Sequence, residues 1–425
     1  MIPELRNAFN QSYSPARYAA LLDSLEQRCG ARVEFRNAET PIFLPLALLE
    51  QMAQAGAELT ASLLANTAYL AAARQAIPAG YCAAGASPHP NFLTADFALI
   101  RNPEGQLEPR LVEIQGFPSV YGYQAALCAA WRDTYPLNAG LKTFLGGLDE
   151  EAYWKLLAET VLRGHDPERV VLTELDPRNQ KTWPDFAVTA RRLGIAVVDI
   201  RALVAVGDKL HYRSEARDRN RGGPNRLVPI DRIYNRAIAD ELAAQSIQLP
   251  FDLTRPWDVE WAGHPNWYFL ISKFSIPWLE QPVVPPAAFV GDFLRGPGRA
   301  RLASAGVRLP PHSGPGTIYS QLLLKPLFSF AGKGIRFDPA QEELEAISPQ
   351  LRGEFLLQQR MHFEPTIETP FGLTQAEIRI LYLWPDAGSL TPVLPLVRLG
   401  RGKMMGVDHN RDQQWVGATA AFYPA

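Results

Sequence analysis

The segment between residues 170 and 200 constrains the fold more than any other part of the chain. An apolar run at 170–173 is followed by a helical pattern near 184–193 and by a second apolar run at 195–200. A strand, a helix and a strand in this order form a βαβ unit, whose strands are parallel and whose crossover is right-handed. The chain is therefore predicted to be an α/β (α+β) protein.

The N-terminal region has a different pattern. Residues 15–80 carry apolar side chains at helical spacing, such as Leu21 and Leu25, and are rich in Ala, Leu and Glu. They predict helices that cover a sheet, and we assign them no chemistry. The predicted organisation is a helical region at 1–88, a carboxylate hairpin with helices at 89–165, an α/β unit at 166–280 and nucleotide-binding strands at 281–425.

Composition limits the partners that this chain is expected to have. The net charge is only −2, without the basic excess typical of nucleic-acid binding. Apolar stretches are interrupted well before the roughly 18 residues that a membrane span needs, and no signal peptide is apparent. The three cysteines are odd in number and lack metal-type spacing, which indicates free thiols in a reducing compartment. We expect a cytoplasmic protein with neither nucleic-acid nor membrane partners.

Residues 321–335 form the most informative run for chemistry. An apolar strand delivers Lys325, a loop with Gly332, Lys333 and Gly334 follows, and a second strand begins at once. The two glycines permit positive φ angles, which let backbone N–H groups converge on an anion, and the lysines add charge-assisted contacts to phosphate oxygens. The spacing differs from a Walker A loop. An ordinary β-hairpin with an exposed lysine explains this segment equally well.

A second candidate nucleotide segment lies at 354–361. Its pattern predicts a strand that runs into a hinge, where backbone groups meet an adenine edge and apolar side chains cover the ring. The predicted nucleotide contacts here are Leu357, Gln358, Gln359 and Met361. Any buried strand that ends in polar residues would look similar.

Two acidic residues gain meaning from a predicted hairpin. Residues 92–100 and 111–115 read as strands, and 102–105 reads as the turn between them. If the turn is centred between Glu104 and Gly105, Asp96 lies directly opposite Glu113 with both side chains on one face.

Facing carboxylates repel each other unless a cation lies between them. Gln115 projects to the same face as Glu113 and offers a neutral oxygen, so Asp96, Glu113 and Gln115 are predicted to bind Mg²⁺. Pro109 is a candidate for a bulge that would shift the register. The alternative is a solvated strand face with unrelated acids.

One arginine is a candidate for binding an anionic intermediate. Arg379 alternates with apolar residues on a predicted strand near 377–383. An arginine that faces a nucleotide cleft can stabilise an acyl-phosphate or a tetrahedral intermediate. Glu377 shares a face with Arg379, and a cross-strand salt bridge explains Arg379 equally well.

Together these segments resemble the ATP-grasp superfamily, specifically its circularly permuted branch, which includes glutathionylspermidine synthase-like ligases. Glu113-Ile114-Gln115, with Pro118 after it, is similar to the late Glu-x-Asn metal motif of ordinary ATP-grasp enzymes. Here it precedes Lys325 by more than 200 residues, as in the permuted order. The family usually has asparagine at the position of Gln115, and glutathionylspermidine-type enzymes have arginine at the position of Thr94.

The resemblance implies a permuted ATP-grasp core, a βαβ pre-ATP-grasp-like unit and an N-terminal helical segment. It implies an ADP-forming ligase that uses ATP and Mg²⁺ to join a carboxylate to an amine or thiol through an acyl-phosphate. The small-molecule substrates would be peptides, amino acids or polyamines. Asp96, Glu113 and Gln115 would hold the metal, Lys325 and the Gly332–Gly334 loop the phosphates, and Arg236 or Arg379 the carboxylate.

Two alternatives stay open. A non-catalytic nucleotide-binding protein with this fold is favoured by Gln115 and Thr94, which depart from the family pattern. An ATP-dependent phosphotransferase on the same fold would instead release a phosphorylated product.

Overall fold

The predicted carboxylate hairpin and the C-terminal strands belong to one large sheet. The structure is a computed structural model and describes residues 1–85, 87–214, 225–328, 332–405, 410 and 412–425. No helix among these residues is both long and apolar enough to span a membrane.

The described residues form helices of very different lengths. They are α1 (Pro3–Ser12), α2 (Pro15–Cys29), α3 (Leu46–Ala65), α4 (Thr67–Gln75), α5 (Tyr121–Thr134), α6 (Glu150–Leu162), α7 (Trp183–Leu193), α8 (Ala239–Ala244), α9 (Trp267–Leu270), α10 (Val290–Arg295), α11 (Pro297–Ser304) and α12 (Gln341–Glu345).

The strands of the described residues are concentrated after residue 90. They are β1 (Ile42–Phe43), β2 (Phe92–Arg101), β3 (Leu107–Gln115), β4 (Leu141–Lys142), β5 (Val170–Glu174), β6 (Ala196–Asp199), β7 (Val204–Val206), β8 (Lys209–Arg213), β9 (Leu227–Pro229), β10 (Arg232–Asn235), β11 (Glu260–Ala262), β12 (Ala287–Phe289), β13 (Leu322–Pro326), β14 (Arg336–Phe337), β15 (Phe355–Gln359), β16 (Ile367–Thr369), β17 (Gly372–Leu383), β18 (Thr391–Gly400) and β19 (Gly417–Pro424).

The large sheet has the strand order β1-β19-β18-β17-β2-β3, with β16 paired to β17 and β4 to β19. Strands from both ends of the chain are thus neighbours, because β17 is antiparallel to β2 and β1 is parallel to β19. The predicted hairpin of 92–100 and 111–115 is confirmed as β2 and β3.

Both faces of the large sheet are buried. On one face, α3 packs Leu49, Met52 and Leu59 against alternate residues of β2 and β17. On the other face, α5 contributes Leu127 and Trp131 to a second core. Because successive residues of a strand point to opposite faces, polar side chains on these central strands are enclosed by helices and loops.

A separate four-stranded sheet, β11-β10-β5-β6, confirms the predicted βαβ unit. Strands β5 and β6 are parallel and are joined by α7, and β10 and β11 continue the parallel pairing on the other side of β5. The chain leaves β5 towards β6 and later returns to the opposite neighbour β10. The carboxyl ends of β5 and β10 therefore meet at a topological switch point, where open α/β sheets commonly bind ligands.

A third sheet carries the lysine strand predicted to hold phosphates. Its order is β12-β15-β13-β14, all antiparallel, with α10, α11 and α12 packed on one face around Leu322, Leu324 and Leu357. Leu323 and Lys325 alternate with these core residues and face the other way. That open face turns towards β17 and β18 of the large sheet, and a cavity lies between them.

Helix α3 approaches the large sheet closely at Gly56. A Cβ atom there would lie 2.2 Å from the hydroxyl oxygen of Tyr382 and 3.1 Å from the Cβ of Ala95. The Tyr382 hydroxyl is held in place, because it is buried and donates a hydrogen bond to the carbonyl oxygen of Ala53 at 2.8 Å.

We expect Gly56→Ala to lower the free energy of unfolding by about 1 to 2 kcal/mol, since overpacking outweighs the gain in helix propensity. Chemical denaturation measures this change. Ala61→Ser, on the exposed side of the same helix, should change stability by less than about 0.5 kcal/mol. Equal stability of Gly56→Ala and the wild type would contradict the close approach.

Candidate functional site

A cavity of about 320 Å³ lies between the lysine strand β13 and the ends of β17 and β18. Its charged lining is unbalanced among the described residues: six lysines and arginines face two carboxylates. The cations are Lys273, Lys325, Arg360, Arg398, Arg401 and Lys403, and the acids are Glu113 and Glu377. Leu323, Ile335, Phe337, Met361, Phe363 and Met404 supply apolar surface. The cavity therefore suits a ligand with a polyanionic part and an apolar part.

Lys325 is the most deeply buried cation of the cavity, with 4% of its surface exposed. Burial lowers the pKa of its ammonium to about 8, although the nearby Glu113 carboxylate opposes this shift. Lysine in a low-dielectric site loses its proton more easily because the charged form is poorly solvated. A bound anion would favour the charged form again, so Lys325 is suited to contact phosphate.

The two carboxylates of the cavity have different partners. The Oε2 atom of Glu113 lies 3.6 Å from the ammonium of Lys273, and its Oε1 atom accepts the amide N–H of Gln115 at 3.1 Å. Glu377 is paired with Arg398 at 2.7 Å. Burial raises the pKa of Glu377 above its usual value, and Arg398 opposes that shift.

The hairpin places Asp96 opposite Glu113, as predicted, but the strand register between the turn and this pair differs from the predicted one. Next to the turn, Arg101 pairs with Leu107 rather than with Glu108, so the register starts one residue off. An extra residue, Val112, then bulges from β3 and restores the predicted pairing. The bulge is at Val112 and not at Pro109, and Val112 itself lines the cavity.

Asp96 lies beneath the cavity and is 1% exposed. Its Oδ1 atom accepts from the Nε of Arg379 at 2.5 Å, and its Oδ2 atom accepts from Arg379 at 2.7 Å and also from Arg398. Burial by itself would raise the pKa of Asp96, but the two guanidiniums outweigh burial and hold this pKa below its usual value. The sequence did not predict these partners, and this geometry does not support the expected metal contact of Asp96.

The glycine loop has the backbone geometry that the sequence predicts. Gly332 and Gly334 have φ angles of 74° and 80°, in the left-handed region that favours glycine. Gly332 lines the cavity, whereas Lys333 and Gly334 are exposed to solvent. Residues 329–331 of the predicted loop lie outside the described residues.

The predicted adenine segment contributes fewer cavity residues than expected. Met361 lines the cavity. Leu357 is buried in the core beneath α10, and Gln358 is buried with no hydrogen-bond partner for its amide among the described residues. Gln359 is half-buried and pairs with Leu322.

Arg379 and Arg236 do not line this cavity. Arg379 uses its Nε and one terminal nitrogen for Asp96 and donates from the other to the hydroxyl of Ser119 at 2.9 Å. Each of its three nitrogens makes one of these hydrogen bonds, which hold the guanidinium against Asp96 and Ser119. The alternative interpretation of Arg379 as part of a cross-strand salt bridge is confirmed, because Arg379 of β17 pairs with Asp96 of β2. Glu377 pairs with Arg398.

Arg236 follows β10 at the switch point of the parallel sheet and is 5% exposed. Its guanidinium lies 3.8 Å from Asp185 and over the rings of Phe117 and Phe186. Its Nε and one terminal nitrogen have no hydrogen-bond acceptor among the described residues, and nearby in the sheet the Thr173 hydroxyl is also unpartnered. A buried guanidinium with unused donors favours binding of an anion.

Two buried acidic residues that the sequence analysis did not single out, Glu174 and Asp185, lie near Arg236. Burial raises the pKa of Glu174 to about 8, and Arg236 opposes this shift. Asp185, on α7, accepts the backbone N–H of Tyr123 at 2.9 Å and so anchors the start of α5. Its pKa is also raised by burial.

The loop after β3 connects the two sites. Gly116 donates its N–H to Ile271 at 2.8 Å, Phe117 lies beside Arg236, and Ser119 accepts from Arg379. Sequence reasoning did not assign Lys273, Glu377 and Arg398 to the cavity. Alternation of Glu377 with Arg379 showed that they share a face, but only the strand order reveals that Arg398 lies opposite Glu377.

A larger open groove of about 890 Å³ lies between the end of α3 and helices α10 and α11. None of the predicted site residues lines it. Its charged lining is limited to Glu280, Asp292 and Arg301, so the smaller cavity remains the better candidate for an anionic ligand.

No family model matches this sequence, and no curated protein matches it in sequence. Among solved structures, the chain is similar to a glutathione synthetase-like effector from Globodera pallida in its apo form. The TM-score is 0.54 at 11% sequence identity, and the match covers 96% of both chains. The likeness shows that the two chains share a mixed α/β fold over almost their whole lengths.

The ion network around Asp96 leads to a stability prediction. Asp96→Asn removes the charge shared by buried Arg379 and half-buried Arg398, and removal of one partner from a buried ion pair leaves the other charge uncompensated. We expect it to lower the free energy of unfolding by about 3 kcal/mol, measured by chemical denaturation at neutral pH.

The matched control is Glu108→Gln in the same hairpin. Glu108 pairs with Arg110 at 2.8 Å, but both side chains are about one-third exposed, so the loss should be below about 1 kcal/mol. If Asp96→Asn costs no more than Glu108→Gln, the buried network does not stabilise the fold as described.

Proposed function

We propose that this chain is an ATP-dependent, ADP-forming ligase that joins a small-molecule carboxylate to an amine or thiol. The observation that carries the proposal is the cavity between β13 and the β17–β18 edge, where six cations face two carboxylates beside an apolar wall. A nucleoside triphosphate is complementary to this lining, because it has a polyanionic triphosphate and an apolar base. The fold shared with a glutathione synthetase-like protein supports this class of reaction.

The phosphates of ATP would contact the cations of the cavity floor. Lys325 and Lys273 are both about 95% buried, so their charges act in a low-dielectric environment. Arg398 is held in place by Asp96 and Glu377. Gly332 would bring its backbone close to the phosphates, and Met361 would cover the base.

In the proposed function, Mg²⁺ would bind together with the phosphates of the nucleotide. Mg²⁺ usually needs one or two protein carboxylates besides phosphate oxygens. Glu113 suits this role because it faces the cavity and its nearest cations, Lys273 and Arg379, are 3.6 Å away. The ion would neutralise charge that develops on the transferred phosphate. Gln115, which is hydrogen-bonded to Glu113, would orient this carboxylate.

The second site would hold the substrate carboxylate. Arg236, at the carboxyl ends of β5 and β10, has two nitrogens without an acceptor among the described residues. The loop 116–119 contacts both this arginine and the ion network below the cavity. In the proposed reaction a carboxylate oxygen attacks the γ-phosphorus, and the bond to the β-phosphate oxygen breaks to release ADP. The amine or thiol then attacks the acyl carbon, and phosphate leaves. The chain would supply positioning and charge neutralisation.

The finer assignment is the circularly permuted branch of the ATP-grasp superfamily. It rests on the order in which the chain presents the carboxylate hairpin and the lysine strand. Peptides, amino acids and polyamines are the substrates this assignment implies. The non-catalytic alternative gains support from Asp96, whose oxygens are both engaged by arginines.

The reaction is tested by measuring release of ADP and phosphate with pooled amino acids, peptides and polyamines. We expect both products only when a carboxylate and an amine are present together. Lys325→Met should abolish release, and Lys142→Met, at an exposed residue of β4, should leave it unchanged. ATP binding without turnover would favour the non-catalytic protein, and phosphate retained on a substrate would indicate a phosphotransferase.

Nucleotide affinity should depend on pH through Lys325. Its pKa near 8 means that the ammonium is charged at neutral pH and loses its charge as pH rises. We expect the dissociation constant for ATP to increase up to about tenfold per pH unit above about pH 8, as one cation is lost from the phosphate site. Calorimetric titration at a series of pH values measures this.

Lys325→Arg is the control for this titration. A guanidinium stays charged throughout this range, so its affinity for ATP should be nearly independent of pH, whatever its absolute value. A parallel loss of affinity in both proteins would assign the pH dependence to another group.

A further inference from the structure

One nitrogen of Arg379 lies between the two carboxylates that were expected to share a metal ion. This terminal nitrogen is 2.7 Å from Oδ2 of Asp96 and 3.6 Å from Oε1 of Glu113. The Nε of the same guanidinium is 2.5 Å from Oδ1 of Asp96. A cation therefore already occupies the place where the two acids meet.

The strand register produces this arrangement. Arg379 of β17 pairs with Asp96 of β2, and Asp96 pairs with Glu113 of β3. Directly paired residues of antiparallel strands project from the same face, so the three side chains stand in one row across the sheet. Facing carboxylates need a positive charge between them, and here the neighbouring strand supplies it.

Asp96 has little capacity left for a metal ion. Its two oxygens accept three hydrogen bonds from two guanidiniums, and the residue is 1% exposed. An incoming ion would have to displace Arg379 from this carboxylate and lose its own water molecules in a buried place. Arg379 in turn is fixed by the hydroxyl of Ser119. Among the described residues, no group of three or more His, Cys, Asp or Glu side chains is arranged to hold a metal.

We propose that the guanidinium of Arg379 is a resident cation that replaces a divalent ion between Asp96 and Glu113. The protein without nucleotide then binds no divalent cation at this pair, and any metal at the cavity arrives with the phosphates and contacts Glu113 from the other side. Asp96 acts as a positioning residue for Arg379 and Arg398. The proposal concerns the nucleotide-free protein and does not depend on ligase activity.

The test uses Mn²⁺ as the probe and the full chain without nucleotide. Electron paramagnetic resonance measures free and bound Mn²⁺ during a titration. We expect the wild type to bind no Mn²⁺ at this pair, so Asp96→Asn should not reduce its Mn²⁺ binding. Arg379→Met vacates the place between two carboxylates, and we expect its affinity for Mn²⁺ to rise by at least about tenfold. The double variant Arg379→Met with Asp96→Asn should lose this gain.

Arg101→Met is the matched control. It also removes an arginine from an ion pair of β2, with Glu364 at 2.9 Å, but it leaves no facing pair of carboxylates, so Mn²⁺ affinity should stay at the wild-type level. If Arg379→Met does not fold, Mn²⁺ added during refolding should restore the folded state by taking the vacated place.

Three results would overturn the proposal. They are stoichiometric Mn²⁺ binding by the wild type that Asp96→Asn abolishes, a folded Arg379→Met with no gain in affinity, and an unfolded Arg379→Met that Mn²⁺ does not rescue. Failure to release ADP would refute the ligase but would leave the Mn²⁺ titrations unaffected.

Discussion

The buried contact between Asp96 and two arginines is the interaction on which the rest of the site depends. Arg379 and Arg398 are 283 and 302 residues away in sequence, and they reach Asp96 from the two neighbouring C-terminal strands β17 and β18. A carboxylate that is 1% exposed is tolerated only because its charge is matched and both its oxygens are hydrogen-bonded. The contact thereby favours one arrangement of β2, β17 and β18 over other pairings.

This contact also determines where charges stand in the cavity above it. Arg398 bridges Asp96 to Glu377, so a cation and an acid of the cavity wall are placed by a residue that does not reach the cavity. Arg379 extends the network to Ser119, at the start of the segment that leads into α5. The same loop carries Phe117 against Arg236. The two candidate sites are therefore connected through the contacts of Phe117 and Ser119 on one short loop.

Local patterns predicted the elements of this site better than its contacts. Alternation and turn residues were sufficient for β2, β3, β5, β6 and α7, because each depends on neighbours in sequence. The pairing of Asp96 with Glu113 was correct although the turn is one residue shorter than expected, since the bulge at Val112 compensates for it. A bulge of this kind has no strong sequence signal, and Pro109 was the more obvious position for one.

The partners of Asp96 could not be predicted, because they depend on which distant strand lies beside β2. Arg379 had two equally good interpretations until the strand order placed it opposite Asp96 and not beside the cavity. Arg398 and Lys273 had no assigned partner, for the same reason. Residues on the buried strand β15 were expected to reach the nucleotide, but Leu357 belongs to the core beneath α10. Alternation of residues along a strand assigns side chains to its two faces, but only the packing of the sheets determines which face lines the cavity.

A guanidinium and a divalent ion neutralise the same pair of carboxylates with different consequences. An ion must be captured from solution at each assembly of the site and can be lost, whereas Arg379 is attached to β17 and is positioned as soon as the sheet forms. The guanidinium has directional donors, so it orients Asp96 but leaves the cavity side of Glu113 open. A likeness at 11% identity shows a shared fold, whereas the cation between these strands is decided by individual side chains. The metal content of such a site therefore depends on the row of residues across the sheet and not on the fold.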